Sequence, residues 1–309
     1  MGRKPDFLII GAMKSATTSL YHQLRRQSGI FMPDLKEPNY FSDAANFRRG
    51  QDWYESLFDD AHPDDLCGEA STHYTKLPTF PDTVVRLKAA LPSARLIYVM
   101  RHPVDRLVSQ YVHQWSEREI SCGLDEAIER YPELIAYSRY AMQIAPYIET
   151  YGRDAVLPVF FENLKSEPQG ELERICRFIG FGGQVRWKTD MAPGNVSSGR
   201  IRRFPLYRLL VDAPLAERLR RTLVPKTWRQ AIRGRLTMGE RPKLSASNLA
   251  RLEEWFSADL ALLAEIAGNK ADAPPAGMAE RYNWIRRALT YDSSPGPGAK
   301  SARIQGQGE

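Results

Sequence analysis

The chain has 309 residues, enough for one large α/β domain or two ordinary ones; with 43% hydrophobic and 26% charged residues it is globular, which excludes collagen-like, disordered and coiled-coil classes. No apolar run approaches the ~20 residues that span a bilayer, and MGRKP passes straight into DFLII, too short for a signal-peptide core, so a cytoplasmic protein is expected. The net charge of +6 is uneven: from Arg200 to Lys243 thirteen Lys or Arg face three acids, and the rest of the chain carries −4. Such a segment suits an anionic ligand, an acidic membrane face or nucleic acid, and equally the solvated faces of amphipathic helices.

In chain order, residues 6–11 (DFLIIG) are a short apolar run closed by glycine, the pattern of a fully buried parallel strand. Residues 17–26 carry Leu20, Tyr21 and Leu24 on one helical face. An irregular stretch leads to a helix at 53–58 and a strand at 66–69. Pro81 starts a helix at the first-turn position where proline is tolerated, with Val84, Val85, Leu87 and Leu91 as its apolar face. The RLIYVM run at 95–100 predicts a central strand, closed by Arg101-His102-Pro103, and residues 104–115 return to helical period. Helices follow at 124–130 and 140–151; residues 156–161 (VLPVFF) form a strand that Pro158 argues against placing centrally, and 171–179 is helical. The longest helix spans 249–266, with Leu252, Trp255, Phe256, Leu260 and Leu263 at helical spacing. This order predicts an α/β three-layer fold, a central parallel sheet flanked by helices with a helical C-terminal part. Residues 1–291 form one domain, and 292–309, with almost no apolar residue to bury, a disordered tail.

Between the first strand and the first helix lies Gly11-Ala12-Met13-Lys14-Ser15-Ala16-Thr17-Thr18-Ser19. A glycine turn, a lysine and hydroxyls at a helix start make an anion site, because free N–H groups and the helix dipole face the ligand and the lysine adds a point charge. The Walker spacing is absent, since Lys14 follows Gly11 by three and no glycine precedes it. After the 95–100 strand, Arg101 and, further along the next helix, Ser109 offer a guanidinium and a hydroxyl to a second anion at the carboxyl end of the sheet. Cys67, Cys122 and Cys176 are odd in number and far apart, which argues against a disulfide scaffold or a structural zinc, and Asp6 stands where a myristoylation signal has Ser or Thr.

GAMKSATTSL resembles the 5′-phosphosulfate loop, and RHPVDRLVSQY the 3′-phosphate element, of the sulfotransferases that use 3′-phosphoadenosine 5′-phosphosulfate (PAPS), a family with a P-loop-like fold. KEPNYF, RGQDWYESLF and GEASTHY stand in the order and spacing of the branch containing heparan sulfate N- and 3-O-sulfotransferases. GERPKLSASNLARLEEWF is similar to that branch's late cofactor-closing loop and helix. The resemblance implies transfer of a sulfonyl group from PAPS to a hydroxyl or amine, with release of adenosine 3′,5′-bisphosphate (PAP). It assigns Lys14 to the leaving phosphate, beside Ser15, Ala16, Thr17, Thr18 and Ser19, and it assigns Arg101 and Ser109 to the 3′-phosphate. Gly239 and Arg241 fall where the family closes over the cofactor, and Arg200 is a further candidate phosphate contact. Glu37 matches the catalytic glutamate, with Glu69 and His73 as competing bases. One departure stands out: the heparan sulfate enzymes carry lysine where this chain has Ala70, leaving Lys36 or a substrate group to supply the charge.

No metal is implied. The acceptor stays open among carbohydrate, glycolipid and small molecule, and the oligomeric state is open too. A P-loop kinase would need a magnesium site, and the 95–100 strand ends instead in Arg101. No nucleic-acid partner is expected, because Pro205, Pro214 and Pro225 interrupt the basic stretch and no RNA or DNA motif accompanies it.

Overall fold

A computed structural model describes residues 2–189, 240–268, 275 and 277–291. In chain order the elements are β1 (Phe7–Gly11), α1 (Thr17–Arg25), β2 (Ile30–Phe31), α2 (Ala44–Phe47), α3 (Gln51–Ser56), β3 (Leu66–Ala70) and a 3-10 turn (Thr72–Thr75). Then come α4 (Thr83–Ala90), β4 (Arg95–Met100), α5 (Pro103–Ser116), α6 (Leu124–Arg130), α7 (Glu133–Ala136), α8 (Tyr140–Tyr151), β5 (Val156–Phe160), α9 (Phe161–Ser166) and α10 (Pro168–Phe178). Past the basic stretch lie α11 (Ala246–Ile266) and α12 (Met278–Tyr291).

Side-chain alternation along the strands decides the layers. Leu8, Ile10, Leu96, Tyr98, Met100, Val156 and Phe160 face one side of the sheet, where α4, α5, α8, α11 and α12 pack on them. Phe7, Ile9, Ile97, Val99, Leu157 and Val159 face the other, under α1, α9 and α10. Burial on both faces is why β1 and β4 read as unbroken apolar runs rather than alternating ones. All pairings are parallel, in the order β2-β3-β1-β4-β5. From β1 the chain runs outward to β2 on one side, and after β3 it crosses over to β4 on the other. The carboxyl end of β1 therefore lies at the topological switch point where open α/β sheets bind ligands.

Several local expectations change. Pro158 sits in β5, which among the described residues pairs only with β4 and forms the edge, where a missing N–H is tolerated. The helix expected from Pro81 begins at Thr83, and Val85, expected on its apolar face, is 74% exposed. Trp255 on α11 is also exposed, lying under the Arg251 guanidinium rather than in the core. The sequence pattern predicts neither the two-residue strand β2 nor helix α12. Gly239, Arg200, most of the basic stretch and the 292–309 tail lie outside the described residues. Among the described residues no helix is long and apolar enough to cross a membrane.

The C-terminal helices are tied in by buried polar groups. Asp259 on α11 accepts from the N–H groups of Ala141 (2.9 Å) and Met142 (3.4 Å) at the start of α8, doing from a distant helix what a local cap would do. Burial pushes its carboxyl up to about 6. Arg106, wholly buried on α5, donates to Ser138 Oγ (2.5 Å) and Leu134 O (2.8 Å), holding α7 against α5.

Among the described residues the most enclosed carboxylate is Glu69 on β3, with no exposed surface. It accepts from Tyr54 OH (3.1 Å), Tyr74 OH (2.6 Å) and Ser71 Oγ (2.9 Å). Burial pushes its pKa up to about 7, against three hydroxyl donors that pull it down. The folded carboxyl thus holds its proton more tightly than the unfolded one. The stability gained from this is complete below the unfolded pKa near 4.5 and is lost as pH rises through about 7. Glu69→Gln, permanently neutral, should flatten that slope, so its stability relative to wild type rises by about 3 kcal/mol between these pH values. Urea unfolding of both proteins across that window checks this; parallel pH profiles would refute it.

Candidate active site

The loop that leaves β1 is built for close approach. A methyl group on Gly11 would lie 1.9 Å from Thr75 Oγ1, which donates to Ile10 O at 2.8 Å, so glycine is required for the 3-10 turn to pin the strand end. Ala12 N donates to Val99 O at 2.7 Å, fixing the loop to β4. Lys14 and Ala16 then adopt left-handed backbone, with φ of 72° and 69°, which turns the chain sharply into α1. Ala16, the residue before α1, brings no side-chain cap to the helix start, where backbone N–H groups point toward the carboxyl edge of the sheet as they do at any helix N-terminus. Ser15 is fully buried and its Oγ has no hydrogen-bond partner. Thr17 is buried and Thr18 and Ser19 are half-buried at the start of α1.

Arg101 follows β4 directly, and β4 pairs with β1, so the two expected anion elements stand side by side on the sheet's carboxyl edge. Its guanidinium lies 4.8 Å from the Phe161 ring centroid, and its buried Nε has no partner. The backbone around it is fixed: Arg101 N donates to Tyr140 OH at 3.2 Å, Tyr140 OH donates to Arg101 O, and His102 N donates to Glu162 Oε1 at 3.1 Å. Tyr282 on α12 donates to the other Glu162 oxygen at 2.6 Å, so a helix that the sequence pattern does not predict braces this turn. Ser109 is buried on α5. Arg241 pairs with Asp105 in the first turn of α5, which brings it to the same helix start.

The third group gathers at the end of β3. Glu37, at a left-handed φ of 61°, donates its N–H to Ala70 O at 3.0 Å. Its carboxylate takes Lys36 Nζ at 2.6 Å on one oxygen and Thr72 Oγ1 at 3.0 Å on the other. Burial pushes this carboxyl up, but Lys36, Thr72 and the nearby Lys76 outweigh it and hold it below the ordinary carboxylate value. His73 is lowered to about 4, first by burial and then by Lys76, so the ring is neutral; it stacks on Phe80 at 4.9 Å, and its buried Nδ1 has no partner. Burial likewise lowers Lys76 to about 8. Glu69, the remaining candidate base, points into the core and has its hydroxyl partners already.

His73 and Lys76 open, with Met13 of the β1 loop, onto a cleft of about 560 Å³ whose far wall comes from α5 and α7. Sequence reasoning misses Lys76; the signal available was a lysine two residues beyond the GEASTHY motif. Among the described residues no group of three His, Cys, Asp or Glu side chains is arranged to hold a metal ion.

Residues 54–182 match the family described as Sulfotransferase family. The membrane-associated sulfotransferase kil1 of Dictyostelium discoideum is 35% identical over 130 residues, 40% of this chain and 26% of that protein. The bifunctional heparan sulfate N-deacetylase/N-sulfotransferase 1 of Xenopus laevis is 27% identical over 210 residues, 62% of this chain and 24% of its own. Heparan sulfate glucosamine 3-O-sulfotransferase 3B1 of Mus musculus is 29% identical over 195 residues, 57% and 46%. The chain thus spans less than half the length of these curated relatives. A sulfotransferase from Alicyclobacillus acidocaldarius shares the fold, with a TM-score of 0.61 at 23% identity over 87% of this chain and 98% of that one. Residues 54–182 thus match the sulfotransferase family, and the chain shares the fold of the sulfotransferase from Alicyclobacillus acidocaldarius.

Proposed function

We propose that the protein is an enzyme that moves a sulfonyl group from PAPS to a hydroxyl or amine of an acceptor and releases PAP. The observation that carries this reading is a pair of orphaned buried groups, Ser15 Oγ and Arg101 Nε, on loops leaving adjacent strands. A buried polar group without a partner costs free energy of about 1–3 kcal/mol, and an anion at each loop would remove that cost. The two phosphate-bearing ends of PAPS provide two such anions. The residues present fit the molecule: Lys14, Ser15, Ala16, Thr17, Thr18 and Ser19 would take its 5′ end, and Arg101 and Ser109 its 3′-phosphate, with Arg241, and Gly239 outside the described residues, closing over it.

In the proposed reaction the bond from sulfur to the bridging phosphate oxygen breaks as the bond from sulfur to the acceptor forms. Negative charge grows on the leaving phosphate, where Lys14 stabilises it more in the transition state than before. Glu37, ionised at neutral pH, takes the acceptor's proton. His73 is the second reading for the base, favoured by its neutral ring and unpartnered Nδ1 beside the cleft.

Lys14→Ala should abolish most transfer, while Arg101→Ala should mainly weaken PAP and PAPS binding, because one meets developing charge and the other a spectator phosphate. Calorimetric titration with PAP, alongside rates with labelled PAPS, separates the two; wild-type PAP affinity in Arg101→Ala would sink the assignment. Glu37→Gln should keep PAP affinity and melting temperature while turnover falls by about 10² to 10⁴, the usual worth of a general base. His73→Asn should lose far less. An inactive His73→Asn beside a fully active Glu37→Gln would make His73 the base. Lys36→Met removes a charge that lowers the Glu37 carboxyl, so the acid limb of the rate profile should move to higher pH. A chelator should leave the rate unchanged; loss of activity restored by one added divalent ion would contradict metal-free transfer.

A further inference from the structure

The cleft beside Met13 has a charge and a hydrogen-bonding character that restrict what it can hold. His73, Lys76, Gln110, Glu119, Glu133 and Tyr137 line it. Its volume of about 560 Å³ falls in the range of about 300–1,000 Å³ that small-molecule sites occupy. Glu119 is exposed at the rim, where Gln114 Nε2 donates to its Oε2 at 3.1 Å, and Glu133 stands on the facing helix α7. Against these two acids the described lining offers one lysine, Lys76, and two histidines, His113 and the neutral His73. A polyuronate or sulfated chain would meet the wrong sign of charge here.

The hydrogen-bonding groups point the same way. Gln110 is 1% exposed, it lines the cleft, and its Oε1 has no partner. The Nδ1 of His73 is likewise buried and unpaired. A hydroxyl group both donates and accepts, so it satisfies an amide oxygen and a neutral imidazole nitrogen alike. Met13 and the edge of the mostly buried Tyr137 ring, whose hydroxyl is hydrogen-bonded to Thr79 Oγ1 at 2.5 Å, are the apolar parts of a mainly polar wall.

We infer that this cleft is the acceptor site and that the acceptor is a polyhydroxy molecule of glycoside type, neutral or amine-bearing rather than polyanionic. The inference rests on the sulfotransfer reading above, but concerns the acceptor side alone. Glu119 and Glu133 are then the residues that set charge preference, and a hydroxyl or amine lying against His73 stands beside the Glu37–Thr72 pair that would take its proton.

The test uses the full chain and three probes of matched length: cellotetraose, a glucosamine tetramer and an N-acetylheparosan tetrasaccharide. PAP binding is measured first, by thermal shift; no PAP binding would sink the sulfotransfer reading, whatever the saccharides do. With PAP saturating, saturation-transfer NMR and calorimetry should show cellotetraose or the glucosamine tetramer binding about tenfold or more tighter than the heparosan fragment. The double substitution Glu119→Lys/Glu133→Lys, at an exposed rim and a half-buried helix position, should weaken the glucosamine tetramer and admit heparosan, with PAP affinity and melting temperature unchanged. Heparosan binding tightest to wild type, none of the three probes binding, or an unchanged order in the double variant would each overturn the inference.

Discussion

The residues proposed for chemistry hang from a carboxylate that water does not reach. Glu69 must keep its three hydroxyl partners, because a buried acceptor stripped of them loses about 1–3 kcal/mol for each unsatisfied group. Those partners come from different segments: Tyr54 from α3, Tyr74 from the 3-10 turn, and Ser71 from the end of β3. Ser71 Oγ in turn accepts Asn39 N at 3.0 Å, and Ala70 O accepts Glu37 N. The Lys36–Glu37 loop is thereby positioned by backbone and hydroxyl contacts to β3. Its left-handed residues, Glu37 and Asn39, are held against their intrinsic preference by the same contacts.

The sheet orders the rest along one edge. β3, β1 and β4 are neighbours, and from their carboxyl ends emerge, in that spatial order, the Thr72–Lys76 segment, the Lys14 loop and Arg101. Lys14, Arg101 and the uncapped start of α1 lie at β1 and β4, and the paired carboxylate of Glu37 sits at β3 with Lys36 and Lys76. A donor bound across β1 and β4 would present its reactive end toward the Glu37 side, with the cleft opening beyond. The bracing is global: α12 reaches the Arg101 turn through Tyr282 and Glu162, and α11 holds α8 through Asp259.

The framework was legible in the sequence where one physical signal dominated. Continuous apolar runs at residues 6–11 and 95–100 marked β1 and β4 because both faces of a parallel sheet are covered. Pro158 correctly warned against a central strand. Where two signals competed, the reading failed. Val85 is apolar but 74% exposed, and Trp255 keeps the helical spacing yet lies outside the core under a guanidinium. β2 has two residues, too few for any periodicity, and α12 has a mixed pattern whose buried face, Tyr282 and Ile285 among it, is defined only by the neighbours it covers. At the site, motif reading found the segments and could not tell their partners. Nothing local in GEASTHY says that Glu69 turns inward to three hydroxyls while Thr72 turns toward Glu37.

Ala70 shows how the charge at this site has been redistributed. The residue is 1% exposed and packs in the second core layer, so it carries no charge to the reaction side. Lys36 and Lys76 approach Glu37 from segments before and after β3 instead, the first by an ion pair and the second through space. Their roles are unequal. Lys36 has a partner in the resting protein, whereas Lys76 is weakened by burial to about 8 and owes part of its charge to the attraction of Glu37. On the proposed mechanism, Glu37 becomes neutral as it takes the acceptor's proton. At that moment both lysines lose their counter-charge while the transferred sulfonyl oxygens and the leaving phosphate carry negative charge nearby. Two cations released from one carboxylate can therefore stabilise charge late in the step without attracting a polyanion beforehand, which agrees with a cleft lined by Glu119 and Glu133.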